Sequence, residues 1–84
     1  MKISVTEDDI SSGATQDCEK CPIALAISRA VGMDVKVGRW SCFLPVRDKG
    51  EDVTMVNLPA AATRFITNFD GLWHVEPFEF ELDI

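Results

Sequence analysis

The reactive side chains of this chain are three cysteines and one histidine, and two of the cysteines stand together in Cys18-Glu19-Lys20-Cys21. Pro22 follows at once, and behind it Ile23-Ala24-Leu25-Ala26-Ile27 is wholly apolar. A cysteine pair opening a helix admits three chemistries. The first is thiol redox, because a helix N-terminus favours the thiolate and makes Cys18 a candidate nucleophile. Thioredoxin-like folds place such a pair after a strand in a βαβ unit, however, and here a polar link precedes it. The second is a small structural zinc site: Cys18, Cys21, Cys42 and His74 supply the ligand count and types of a Cys₃His centre. Cys42 and His74 are nevertheless lone residues on separate elements, not a second close pair. The third is packing, since a free cysteine behaves as a small buried hydrophobe and both residues flank an apolar helix. We adopt the packing reading and expect neither metal nor cofactor.

Two other groups of residues invite a functional reading. Glu76, Glu79, Glu81 and Asp83 crowd the end of the chain. On a strand, residues two apart share a face at roughly 6.6–6.8 Å. Carboxylates so placed suit arginine and lysine on a protein partner, or imitate a phosphate backbone. The plainer reading is a solvated strand face whose charges protect an edge. Trp40 and Trp73 are candidate interface anchors, or else cover for a small core. His74 has no nucleophile or orienting partner nominated beside it, as a catalytic base requires. It is expected as a partly exposed residue at the start of the last strand.

The elements that must position these residues are legible. Ile3 and Val5 alternate with polar neighbours as a short strand. Thr6 to Asp9 form a capping pattern with acids in the first turn, and Gly13 is expected to end that helix. The main helix is expected over Pro22–Val31, nearly buried all round, with Leu25 and Ile27 among its deepest side chains and Gly32 at its end. Val35 and Val37, then 40–44, then 53–56 read as strands of a meander, with a polar loop at 47–52. Ala62, Phe65, Ile66 and Phe69 make an amphipathic stripe on a second helix opened by Pro59 and ended by Asp70-Gly71. Phe78, Phe80, Leu82 and Ile84 alternate with Glu79, Glu81 and Asp83 in a closing strand. The expectation is a single α+β domain over 1–84: a small, mainly antiparallel sheet of four to five strands packed by two helices.

Composition bounds the function. Fourteen acidic against eight basic residues give a formal charge of -6. That balance argues against direct nucleic-acid binding, which needs a basic footprint, and against anionic membrane surfaces. No apolar run approaches the roughly 20 residues of a membrane span, and the N-terminus turns acidic too early for a signal peptide. An odd number of cysteines fits a disulfide scaffold badly, and we read a reducing cytoplasm.

The succession Val5-Thr6-x-x-Asp9-Ile10, Asp17-Cys18-x-x-Cys21-Pro22-Ile23-Ala24-Leu25-Ala26-Ile27, Leu58-Pro59, Ala62-x-x-Phe65-Ile66-x-x-Phe69-Asp70 and Val75-Glu76-Pro77-Phe78-x-Phe80-Glu81-Leu82 resembles a group of small, functionally uncharacterised proteins of tailed bacteriophages. The resemblance covers most of the chain. It implies expression in a bacterial cytoplasm during infection, and it carries over no catalytic or binding residue. The expected function is that of a non-enzymatic, acidic binding or accessory protein with a protein partner. A specific form of it is an inhibitor of a host nucleic-acid-binding system. The competing classes are a thiol-redox enzyme using Cys18 and Cys21, and the small zinc domain.

Overall fold

Strand β1 (Lys2–Val5) is followed by helix α1 (Glu7–Ser12), helix α2 (Pro22–Val31) and strands β2 (Lys36–Val37), β3 (Ser41–Pro45) and β4 (Val53–Asn57). Helix α3 (Ala60–Asp70) and strand β5 (Phe78–Glu81) complete the order. The structure is a computed structural model that describes residues 1–45 and 53–83. The polar loop expected at 47–52, and Ile84, lie outside the described residues.

The fold is α+β with antiparallel strands, as the patterning predicts, but among the described residues the five strands divide into two sheets. The expected meander is present as β2-β3-β4, with Val37 opposite Cys42 and Cys42 opposite Val56. Strand β5 pairs with β1 instead, in a register that sets Ile3 opposite Phe80 and Val5 opposite Phe78. That pairing joins the two ends of the chain, and no local pattern encodes it. Strand β5 ends at Glu81, but side-chain alternation runs as expected through it and the two residues beyond: Phe80 and Leu82 are buried and Phe78 half-buried, with Glu79, Glu81 and Asp83 outside.

Helix α1 carries the predicted capping box. The Asp9 N–H donates to Thr6 Oγ1 at 3.2 Å, and the Thr6 N–H donates to Asp9 Oδ2 at 2.9 Å. Gly13 ends α1 as expected, at φ −74°, where the backbone conformation does not itself call for glycine. It must be glycine for another reason: a Cβ there would lie 2.8 Å from the Asp9 carbonyl oxygen and 2.7 Å from Pro22 Cδ. Gly32 does close α2 in the left-handed conformation, at φ 73°.

Helix α2 buries Pro22, Ile23, Ala24, Ala26 and Ile27. Leu25 is half-buried, contrary to expectation, and Arg29 and Ala30 are exposed. At about 100° per residue Leu25 lies about 200° around the axis from Ile23, so it points away from the core. One continuous core joins both sheets and the helices, running from Ile3 and Val5 through Ile23 and Ile27 to Val35, Cys42, Phe65 and Phe80. Helix α3 docks on β5 through stacked phenylalanines, with ring centroids 5.0 Å apart for Phe65–Phe78 and 5.6 Å for Phe78–Phe80. Among the described residues, no helix is long and apolar enough to cross a membrane.

Candidate functional site

The cysteine pair sits on a turn organised by Asp17. Its Oδ1 accepts the N–H groups of Glu19 and Lys20 at 2.9 and 3.1 Å, and its carbonyl accepts the Cys21 N–H at 3.1 Å. Cys21 is the N-cap of α2, its Sγ accepting the Ala24 N–H at 3.3 Å. It is buried, and burial pushes its thiol above the ordinary range. Cys18 is exposed. Both border a cleft of about 420 Å³ that Gln16, Asp17, Arg39 and Asp70 also line. Gln16, at φ 55°, donates its N–H to Asp70 Oδ1 at 2.9 Å and so ties this segment to the end of α3.

The other two candidate metal ligands lie elsewhere. Cys42 is fully buried within β3, and burial raises its thiol too. His74 is exposed, 3.3 Å from Glu76, in the irregular segment before β5, and lines a different hollow with Arg64, Phe65 and Phe78. Among the described residues, no three His, Cys, Asp or Glu side chains gather as a metal site. Cys18, Cys21, Cys42 and His74 are therefore not brought together.

The two tryptophans are exposed, Trp40 by 70% and Trp73 by 74%. Neither covers the core. Trp73 belongs to a tight terminus of α3. Its N–H donates to the Asn68 carbonyl at 2.9 Å, and the Leu72 N–H donates to the Phe69 carbonyl at 3.1 Å. These are the paired bonds of a Schellman motif, which places the residue after the C-cap in the left-handed region. That residue is Leu72, at φ 63°, not the preceding Gly71, at φ −83°. Leucine in this conformation is strained, because its Cβ crowds the carbonyl oxygen. Leu72 is also 84% exposed. A Cβ on Gly71 would lie 3.0 Å from Trp73 Cδ1, so the small residue lets the indole approach its own turn.

The C-terminal acids have partners within the chain. Glu79 meets Lys2 Nζ at 3.4 Å and accepts from Ser4 Oγ at 2.9 Å, and the Ser4 hydroxyl, then Lys2, hold its carboxyl below the usual range. Glu81 lies 3.6 Å from the Met1 ammonium, and Glu76 faces His74. This face is a set of cross-strand pairs more than an open ladder of carboxylates. Asp83 is exposed.

Sequence reasoning passed over Leu72, because the Asp70-Gly71 stop signal predicts glycine in the left-handed position. It also passed over Arg29, whose Nη1 and Nη2 donate to Asp9 Oδ1 at 2.7 Å and Oδ2 at 2.8 Å, with Nη2 also donating to the Ser4 carbonyl at 2.9 Å. This fork ties α2 to α1 and β1. Comparison with known proteins found no matching family model, curated protein or solved structure.

Proposed function

We propose that this protein is a non-enzymatic, acidic binding or accessory protein that engages a protein partner through Leu72 and Trp73, with Trp40 as a further anchor. The observation that carries the reading is the exposed, strained Leu72 beside an exposed indole. Strain in a backbone persists only where surrounding structure imposes it, and it concentrates at functional positions. Tryptophan is among the residues that dominate interface energetics. A rigid hydrogen-bonded turn loses little freedom on docking, which favours affinity. The net charge of -6 suits a basic partner.

On the resemblance to tailed-bacteriophage proteins, that partner is a host protein in the bacterial cytoplasm. A nucleic-acid-binding protein, with its basic surface, is the specific form of it. The protein then acts by occupying that surface and does not itself touch nucleic acid. The test is affinity capture from bacterial cytoplasm with the wild-type chain and with Leu72→Ala and Trp73→Ala variants of unchanged fold. The wild type is expected to retain a defined basic protein that both variants lose. Equal capture by all three would overturn the reading.

A further inference from the structure

The cysteine turn has a geometry that the binding reading leaves unused. The Asp17-capped turn is closed by the Cys21 N–H to Asp17 carbonyl bond and sets Cys18 and Cys21 three residues apart, both bordering one cleft. Residues so spaced on a helical turn have Cβ atoms about 5–6 Å apart. A disulfide needs Cβ atoms about 3.5–4.5 Å apart and Cα atoms within about 4.4–6.8 Å. A disulfide there therefore requires the turn to tighten. The turn is anchored from outside, since the Cys18 carbonyl accepts the Val37 N–H at 2.8 Å and the Lys20 carbonyl accepts the Ala14 N–H at 2.9 Å. The two thiols are unequal: Cys18 is exposed on the cleft, whereas Cys21 is 5% exposed beneath it.

We infer that Cys18 and Cys21 form a reversible intramolecular disulfide with a small-molecule disulfide as oxidant, Cys18 being the entry thiol and Cys21 the resolving thiol. With glutathione disulfide, the Cys18 thiolate attacks one sulfur, and the glutathione S–S bond breaks. One glutathione leaves with the electron pair and takes a proton, and Cys18 is left as a mixed disulfide. Cys21 then gives its proton to solvent and attacks the Cys18 sulfur, and the second glutathione leaves as a thiol. Two protein thiols are oxidised by two electrons, and one glutathione disulfide is reduced to two glutathiones. Burial keeps Cys21 protonated until the mixed disulfide stands beside it. Cys42, sealed in the core, takes no part.

The experiment equilibrates the reduced full chain in glutathione buffers of rising oxidised fraction, quenches by alkylation, denatures, and maps the cysteines by mass. A Cys18–Cys21 linkage is expected to appear without a populated mixed disulfide, with Cys42 always recovered as free thiol. The Cys21→Ser variant, in which serine can still cap α2, should stop at a glutathione adduct on Cys18. The Cys18→Ser variant should form neither. A wild-type protein that stops at the Cys18 adduct, or that links either residue to Cys42, overturns the inference. Loss of partner capture has no bearing on it, so this proposal and the binding proposal fail separately.

Discussion

Asp9 is nearly buried, and its carboxylate accepts from both arms of Arg29 and from the Thr6 N–H. The Arg29 hydrogen bonds, above all, hold its carboxyl below the ordinary value of 3.8. A carboxyl depressed in the folded state stabilises the fold above its unfolded value, and that contribution is lost as pH falls through the folded value. Replacing Arg29 by Met leaves a buried acceptor short of partners, at a cost of about 1–3 kcal/mol. Denaturant titrations of the two proteins should differ by this amount at neutral pH and converge as pH falls below 3.8. A gap that persists unchanged in acid would show that Arg29 acts through packing alone. Leu72 permits the opposite experiment. Glycine relieves its left-handed backbone, so Leu72→Gly should raise stability by up to about 1 kcal/mol. In a domain of this size that is a rise of roughly 4–8 °C in Tm per kcal/mol. Stability gained while partner capture is lost would identify the strain as retained for binding; a fall in Tm would refute the strain itself.

At the scale of elements, α2 carries the core. Ile27 is fully buried in the core. Ile27→Ala should cost about 2–5 kcal/mol in chemical denaturation, the range for deleting a buried aliphatic group. That is a large share of the total stability of so small a domain, and the variant should approach unfolding at 37 °C. A nearly unperturbed variant would mean that the core lies elsewhere. The junction between α1 and α2 is equally tight. Gly13→Ala would push a methyl against the Asp9 carbonyl and the Pro22 ring. Such overpacking costs about 1–3 kcal/mol, and circular-dichroism melts should register it, although at this negative φ alanine would otherwise be favoured by restricting the unfolded chain.

The whole molecule has a radius of gyration of 12.0 Å, close to the about 12 Å of a compact domain of this length. Its net charge concerns partners more than folding. Glu79→Lys with Glu81→Lys sets like charges against Lys2 and the Met1 ammonium, but these pairs are solvent-exposed and their reversal should change stability little. Rim charges act on association rate and salt dependence more than on anchoring. Capture by this double variant should therefore weaken and lose its sensitivity to salt, whereas Trp73→Ala abolishes capture at every salt concentration. Capture unchanged across a salt series would reduce the acidic strand to a solvated face.

What the sequence determined by itself was local. The Thr6–Asp9 capping box, the Pro22–Val31 helix with Gly32 at its end, the Phe65 stripe of α3 and the alternation of β5 rest on contacts within a turn or on period two and 3.6, and all are present. What the tertiary structure decided was everything that joins distant segments. The pairing of β1 with β5, the division into two sheets, the Arg29–Asp9 fork and the cross-strand partners of Glu79 link residues from 20 to more than 70 positions apart. Chain closure over such separations is chosen by the packing of the whole core, and no short window records it. The same holds for Leu72: a stop signal announces where α3 ends, but only the hydrogen bonds from Leu72 and Trp73 back to Phe69 and Asn68 settle which residue takes the strained position and is left facing solvent.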